Sequence, residues 1–191
     1  MYFPDDMNFQ YFFFSTYPGF FLQALPIALT AGLIFVLRRR KHSGGPLVRD
    51  LVPALFVCYL TGLLCLTLFL DLMGVLYYFL FYHMPSGRSI RWFSWEFDLI
   101  PTLSLADREQ LGNLLMFFPF GLLHPLFRPR SSWGRTVGTG LALCLSIELL
   151  QPVFGRSFDV NDIILNGTGV ILSTAVFYLC RDAKRKKRGF H

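Results

Sequence analysis

The sequence has little charge and few cysteines. Asp, Glu, Lys and Arg make up only 16% of its 191 residues, whereas about a quarter of a typical soluble domain is charged. Its four cysteines form no CxxC pair and no spacing that is typical of a metal site. No internal repeat, low-complexity tract or soluble domain is visible in it. These absences argue against a soluble enzyme and against a disulfide-stabilised secreted domain.

Apolar residues take the place of the missing charge. Hydrophobic residues make up 53% of the chain, 22 residues are Phe, and the mean hydropathy is +0.47. Several apolar runs reach the length of about 20 residues that a helix needs to cross a bilayer. We therefore predict an all-α fold, a polytopic integral membrane bundle of about five transmembrane helices. The predicted spans are 19–37, 51–70, 111–127, 136–154 and 162–180.

The chain is expected to divide into an aromatic interfacial lead-in at 1–18, a transmembrane bundle at 19–180 and a basic cytoplasmic tail at 181–191. Asp5 and Asp6 stand where a secretory signal carries Lys or Arg, so we expect the first span to be retained as an anchor. An external loop is expected at 71–110. Its apolar part, 72–84, is too short to cross alone, and it is predicted to lie along the interface, to re-enter the membrane or to lengthen the second helix.

The basic residues predict the orientation. Of the 18 Lys and Arg residues, 14 lie in three segments on one side of the predicted membrane, 38–49, 128–135 and 181–188. Because cytoplasmic loops carry the excess of Lys and Arg, that side is predicted to be cytoplasmic. The N-terminus is then outside and the C-terminus inside. The net charge of +6 follows from this topology and does not indicate a nucleic-acid partner.

One polar stretch stands between two apolar runs, at residues 148–169 with the sequence ELLQPVFGRSFDVNDIILNGTG. Ionisable groups in such a place are costly, face the protein interior and often mark a functional site. The predicted topology brings Asn113 to the same depth. We expect an outward-facing pocket that is lined by carboxylates, carboxamides and one guanidinium. Its predicted residues are Asn113, Glu148, Gln151, Arg156, Asp159, Asp162 and Asn166.

Several of these residues also have simple structural interpretations. Asp159 suits the N-cap of the fifth span, and Asp162 suits its first turn, where the helix dipole favours a negative charge. Glu148 lies inside an apolar run and needs a partner, for which Arg156 is the natural candidate. The alternative to a functional site is therefore an ion pair that clamps the fourth and fifth spans together.

Small residues four positions apart predict close helix packing. They occur as Gly138 and Ala142 in the fourth span and as Gly169 and Ser173 in the fifth. His124 lies near the opposite end of its helix from the polar stretch, and we expect it to be structural.

The pattern ExxQxxxxRxxDxxDxxxNxxG, preceded by NLLMFFPFG at 113–121, resembles the VanZ-like family over about residues 97–178. The resemblance adds Pro119, Gly121 and Gly169 as structural positions. It implies a multi-pass protein of a bacterial cell membrane that reduces susceptibility to teicoplanin and related lipoglycopeptides.

Three functions remain open at this stage. In the first, Arg156 binds a carboxylate or phosphate with its planar fork, and no cofactor or metal is needed. The partners would be membrane lipids, a lipid-linked cell-wall intermediate or an acylated antibiotic. In the second, Asp159, Asp162 and Glu148 hold a divalent cation that acts on a phosphate ester. In the third, the polar residues serve assembly alone. The resemblance to the VanZ-like family favours the first.

Overall fold

A computed structural model describes residues 8–43, 48–86, 92–103 and 108–188, and this part of the chain is almost entirely helical. Its elements are α1 (Phe9–Ser15), α2 (Tyr17–Ser43), α3 (Val48–Thr67), α4 (Leu70–Tyr82), β1 (Phe97–Asp98), α5 (Arg108–Phe127), α6 (Trp133–Leu150), β2 (Phe158–Asp159) and α7 (Val160–Arg188). The all-α prediction is confirmed. Parts of the predicted lead-in, external loop and tail lie outside the described residues, at 1–7, 87–91, 104–107 and 189–191.

Five of the described helices are long and apolar enough to cross a membrane, namely α2, α3, α5, α6 and α7. Large apolar side chains such as Leu25, Leu29 and Leu33 of α2 are exposed on the surface of the bundle. A membrane supplies the apolar environment that such a surface needs. The predicted count of five spans is therefore confirmed.

The ends of the helices differ from the predicted ends. Helix α6 begins at Trp133, where Ser132 accepts the backbone N–H of Arg135 as the N-cap. It ends at Leu150, and a 3₁₀ helix follows over Gln151–Phe154. Helix α7 continues to Arg188, so the described part of the predicted tail extends the last helix.

Helix α1, in the described part of the lead-in, packs back on the first span. The break between α1 and α2 falls at Thr16, so Pro18 and Gly19 lie in the first turn of α2, and the boundary predicted between residues 18 and 19 falls inside that helix. A side chain at Gly19 would meet the backbone carbonyls at the end of α1. The Gln23 side chain donates from Nε2 to the Phe13 carbonyl at 2.6 Å. The absence of a side chain at Gly19 lets the two helices come close, and the bond from Gln23 holds α1 against α2.

Helix α4 is a separate short helix. It follows α3 after a break and packs against α1 and the beginning of α2. The Tyr77 hydroxyl donates to the Gln23 carbonyl at 2.9 Å. The Phe13 ring lies 5.5 Å from that of Tyr77 and 5.3 Å from that of Phe81, both edge to face. Of the three predicted arrangements of 72–84, continuation as one helix with α3 is wrong.

Helices α5 and α7 run parallel and share the most extensive contact between elements of the described chain. A side chain at Gly169 would meet the Leu114 carbonyl of α5. On the other side of the contact, a Cβ at Gly121 would lie 2.5 Å from the backbone nitrogen of Thr174. Ser173 is fully buried beside it and bonds back to the Gly169 carbonyl at 2.7 Å. The predicted packing role of Gly169 and Ser173 is confirmed.

The same prediction is wrong for the fourth span. A Cβ at Gly138 would meet nothing within 4 Å, so this glycine faces away from the bundle. The close approach of α6 occurs at Gly140, where a Cβ would lie 2.5 Å from the Val170 side chain. Two residues turn a helix by about 200°, so a small-residue spacing alone does not say which face is covered.

Pro119 lies inside α5, and the helix continues through it. A proline leaves the carbonyl four residues before it without its helical N–H donor, which loosens that turn. In this turn the Met116 carbonyl accepts the Tyr59 hydroxyl of α3 at 3.0 Å. The resemblance named Pro119 and Gly121 as structural positions. The structure places Pro119 beside the α3 contact and Gly121 in the α7 contact.

A buried carboxylate lies at the end of the bundle opposite to the polar stretch 148–169. Asp50, in the first turn of α3, is 1% exposed and its Oδ1 lies 2.9 Å from Arg39 Nε of α2. Arg49 Nε is 4.0 Å from the same oxygen. An ion pair therefore joins α2 and α3 where the chain reverses direction.

We expect a reporter fused after Arg188 to lie in the cytoplasm, because the segments 38–49, 128–135 and 181–188 hold 14 of the 18 basic residues. A green fluorescent protein fusion should be fluorescent, and an alkaline phosphatase fusion at the same site inactive. Fusions after residue 103 should show the reverse. An active phosphatase after Arg188 would overturn the predicted orientation.

Candidate functional site

Glu148 is the centre of the polar cluster and lies in the last turn of α6. Its side chain is 0% exposed. Its Oε1 accepts the backbone N–H of Asp159 at 2.6 Å. In the amide orientation that satisfies both neighbours, Gln151 donates to Glu148 Oε1 and to the Ser157 carbonyl, both at 3.2 Å. Glu148 thus joins the end of α6 to the segment that leads into α7.

The turn between these helices explains the contact. Pro152 lies in the 3₁₀ helix Gln151–Phe154, and Gly155 follows with φ 78°, a left-handed conformation that glycine adopts without strain. The Arg156 N–H then donates to the Gln151 carbonyl at 3.1 Å. This reversal brings the chain back over α6, so the Asp159 amide comes to lie above the Glu148 carboxylate.

Asp159 begins α7. Its Oδ1 accepts the backbone N–H of Asn161 at 2.7 Å and the Asn161 side-chain amide at 2.9 Å. This is the capping role that the sequence predicted as the structural alternative for Asp159. The Asn161 Oδ1 in turn accepts the backbone N–H of Thr102 at 2.8 Å. The start of α7 is therefore tied to the segment before α5.

Asn113 and Asp162 meet directly across the α5–α7 contact, where the Asn113 side-chain amide donates to Asp162 Oδ1. Asn166 lies one turn further along α7 and is 4% exposed. Its Oδ1 has no hydrogen-bond partner among the described residues. The polar residues predicted at one depth thus form two contacts, Asn113 with Asp162 and Glu148 with Gln151 and Asp159.

Arg156 is half-buried and lies at the surface of this cluster. The prediction that it pairs with Glu148 is wrong. Within residues 8–43, 48–86, 92–103 and 108–188, no ion pair of Arg156 with a carboxylate is present at 4.0 Å or less. The reason is the tight turn, which gives the buried carboxylate a backbone amide and keeps the guanidinium nearer the surface.

A loop segment, residues 92–103, covers the turn, and no motif in the sequence predicts this contact. The Ser94 N–H donates to the Pro152 carbonyl at 2.8 Å, and the Phe158 N–H donates to the Glu96 carbonyl at 3.0 Å. Strand β1 pairs in parallel with β2, with Phe97 opposite Phe158. The Trp92 ring packs 5.9 Å from that of Phe154. Residues 92–103 therefore form part of the site.

The burial divides the predicted pocket into two layers. Glu148, Gln151 and Asn166 are at most 4% exposed, so they lie beneath the surface. Arg156 and Asp162 are half-buried and lie above them. In the described ranges no three His, Cys, Asp or Glu side chains converge as a metal site requires.

The sequence comparison identifies the type of protein. Residues 56–181 match the profile of the family described as VanZ/LLP1. This chain belongs to the VanZ/LLP1 family. The comparisons with curated proteins and with solved structures give no match.

The VanZ/LLP1 match is wider than the predicted region of 97–178. It begins at Phe56 in α3 and ends at Arg181 in α7. It therefore takes in the loop that covers the turn as well as all of α5 and α6. In this VanZ/LLP1 protein every predicted site residue lies inside the matched region.

Proposed function

We propose that this VanZ/LLP1 protein resides in a bacterial cell membrane and lowers susceptibility to teicoplanin-type lipoglycopeptides by recognising an anionic group at the outer membrane surface. The ligand would be a lipid headgroup, a lipid-linked cell-wall intermediate or the acylated antibiotic. One observation carries the proposal. The half-buried Arg156 guanidinium makes no ion pair with any described carboxylate, although it lies beside a cluster of acidic residues.

The chemistry of arginine suits this role. Its planar guanidinium presents a rigid fork of donors that matches a carboxylate or a phosphate in two parallel hydrogen bonds. The backbone that carries Arg156 is fixed from below, because Glu148 holds the Asp159 amide and Gln151 accepts the Arg156 N–H. A donor on a fixed backbone loses less conformational entropy when a ligand binds.

The position of the site favours a ligand with an apolar anchor. Trp92 and Trp95 of the covering loop are 51% and 82% exposed. Exposed tryptophans are typical of the boundary between lipid headgroups and acyl chains. A molecule whose acyl chain lies in the membrane would present its charged group at the level of Arg156.

We expect Arg156→Ala to remove most of the change in teicoplanin susceptibility that the intact protein confers in a susceptible Gram-positive host. Hydrogen bonds to charged groups contribute about 1.5 to 3 kcal/mol, so affinity for an anionic ligand should fall about 10- to 100-fold. Arg156→Lys keeps the charge and loses the planar fork. Its inhibitory concentration should therefore lie between those of the intact protein and Arg156→Ala. The measurement is the inhibitory concentration at matched protein levels in the membrane.

Arg40→Ala is the matched control. Arg40 is an exposed arginine near the C-terminal end of α2, and its loss should leave the inhibitory concentration unchanged. An unchanged inhibitory concentration on expression of the intact protein would contradict the resistance role. Elemental analysis that finds one bound divalent ion per chain would favour the metal-dependent alternative.

A further inference from the structure

The opposite end of the bundle carries a basic cavity that the proposed function does not use. It has a volume of about 770 Å³ and lies where α5 ends and α6 begins. Guanidinium and hydroxyl side chains line it, from Arg128, Arg130, Ser131, Arg135 and Thr139. We propose that this cavity binds the phosphate of an anionic phospholipid headgroup.

The charge of the cavity is not compensated within the described protein. The ion pairs of the described residues are Arg39 with Asp50, Arg49 with Asp50 and Arg181 with Asp182. None of them involves an arginine of the cavity. Arg128, Arg130 and Arg135 thus place three like charges around one space, and a phosphate lowers their mutual repulsion while accepting their hydrogen bonds.

The short connection that carries these arginines is held in place by a polar chain. Ser131 Oγ lies 3.1 Å from Thr136 Oγ1, which lies 3.2 Å from His124 Nδ1. The Tyr178 hydroxyl of α7 donates to the Ser131 carbonyl at 2.7 Å. His124 is buried and stacks on Phe120 at 5.2 Å. These contacts hold the floor of the cavity in place.

The surroundings favour a lipid over a free anion. Leu126 and Trp133 beside the cavity are 47% and 46% exposed, and both belong to helices that cross the membrane. Gly138 lines the cavity, and a Cβ there would meet nothing within 4 Å, so the space continues along the surface of α6. Acyl chains fit along such a surface while the phosphate stays among the arginines. Basic pockets between membrane helices are known to hold anionic lipid headgroups in this way.

The test is lipid binding to the purified full-length protein in detergent, measured by native mass spectrometry with dioleoylphosphatidylglycerol and dioleoylphosphatidylcholine. We expect the anionic lipid to bind roughly 10-fold or more tightly. Arg128→Gln with Arg130→Gln should remove that preference. Gly138→Leu places a bulky side chain in the cavity, keeps every charge and should weaken binding to a similar extent. Arg40→Gln removes an exposed arginine that does not line the cavity, and it should have no effect.

Several outcomes would overturn the proposal. Equal binding of the two lipids, or an equal loss with Arg40→Gln, would show that only general surface charge is involved. Retained preference in a folded Gly138→Leu protein would place the lipid elsewhere. Displacement of the lipid by inorganic phosphate at the same concentration would indicate a site for free phosphate. Teicoplanin susceptibility is a separate readout, so this result and that of the proposed function are distinguishable.

Discussion

Glu148→Ala is expected to lower the free energy of unfolding by about 2 to 4 kcal/mol. The Asp159 N–H would lose its acceptor, and the Gln151 amide would lose one of its two. Truncation would also leave a space, because the Glu148 side chain is 0% exposed. The loss is large because the Gln151 amide stays buried and the Asp159 amide stays partly buried, so solvent replaces the carboxylate poorly.

The measurement is unfolding of the detergent-solubilised protein, together with hydrogen exchange at the Asp159 amide. Glu148→Gln keeps an acceptor oxygen and should lose less than half as much stability. Ser146→Ala is the control on the same helix, since the Ser146 side chain is exposed and, among the described residues, bonds to the Ala142 carbonyl of its own helix. If Glu148→Ala unfolds like the unmodified protein and its Asp159 amide stays protected, Glu148 does not hold the turn.

Gly169→Val should prevent the protein from accumulating in the membrane, and Gly169→Ala should cost about 1 to 3 kcal/mol of stability. A Cβ at this position meets the Leu114 carbonyl, which is backbone and has no rotamer to change. Relief requires α5 and α7 to move apart. That movement also stretches the bond between Asn113 and Asp162.

Gly121→Ala tests the same contact from the other helix, where a Cβ would lie 2.5 Å from the Thr174 backbone nitrogen. Gly112→Ala is the matched control, because it lies on α5 as well and its Cβ would meet nothing within 4 Å. It should be as stable as the unmodified protein or slightly more so. Full stability of Gly169→Ala and Gly121→Ala in thermal unfolding would show that α5 and α7 are not in backbone contact.

The parts of the fold that follow from periodicity and length could be predicted from the sequence. Asn113 and Asp162 begin two spans that enter from the same side, so the topology alone brings them to one depth. Their hydrogen bond confirms this. The five spans follow from apolar length, which is a property of each segment by itself.

The partner of Glu148 could not be predicted in the same way. The side-chain types predicted that Glu148 pairs with Arg156. The Glu148 carboxylate instead accepts a backbone N–H, which every residue except proline carries. Only the course of the turn decides which amide arrives. The pairing of Phe97 with Phe158 could not be predicted either, because two-residue strands carry no alternating pattern to detect.

The charge pattern predicts only part of the structure at the end of the bundle that carries the basic segments 38–49, 128–135 and 181–188. Asp50 is one of two acidic residues on that side, and its position before an apolar run was visible. Its burial at 1% exposure was not visible, because it depends on how close α2 comes to α3.

The parallel contact of α5 and α7 has a consequence for the order in which the protein is assembled. Helix α6 lies between them in the chain, so a newly inserted α5–α6 hairpin does not yet contain that contact. Until α7 enters, the face of α5 that carries Gly121 is covered by lipid tails. Asn113 cannot bond to the Asp162 carboxylate, 49 residues further along the chain, until α7 is in place. The polar layer is therefore completed late during membrane insertion, and the turn that carries Arg156 reaches its final place with it.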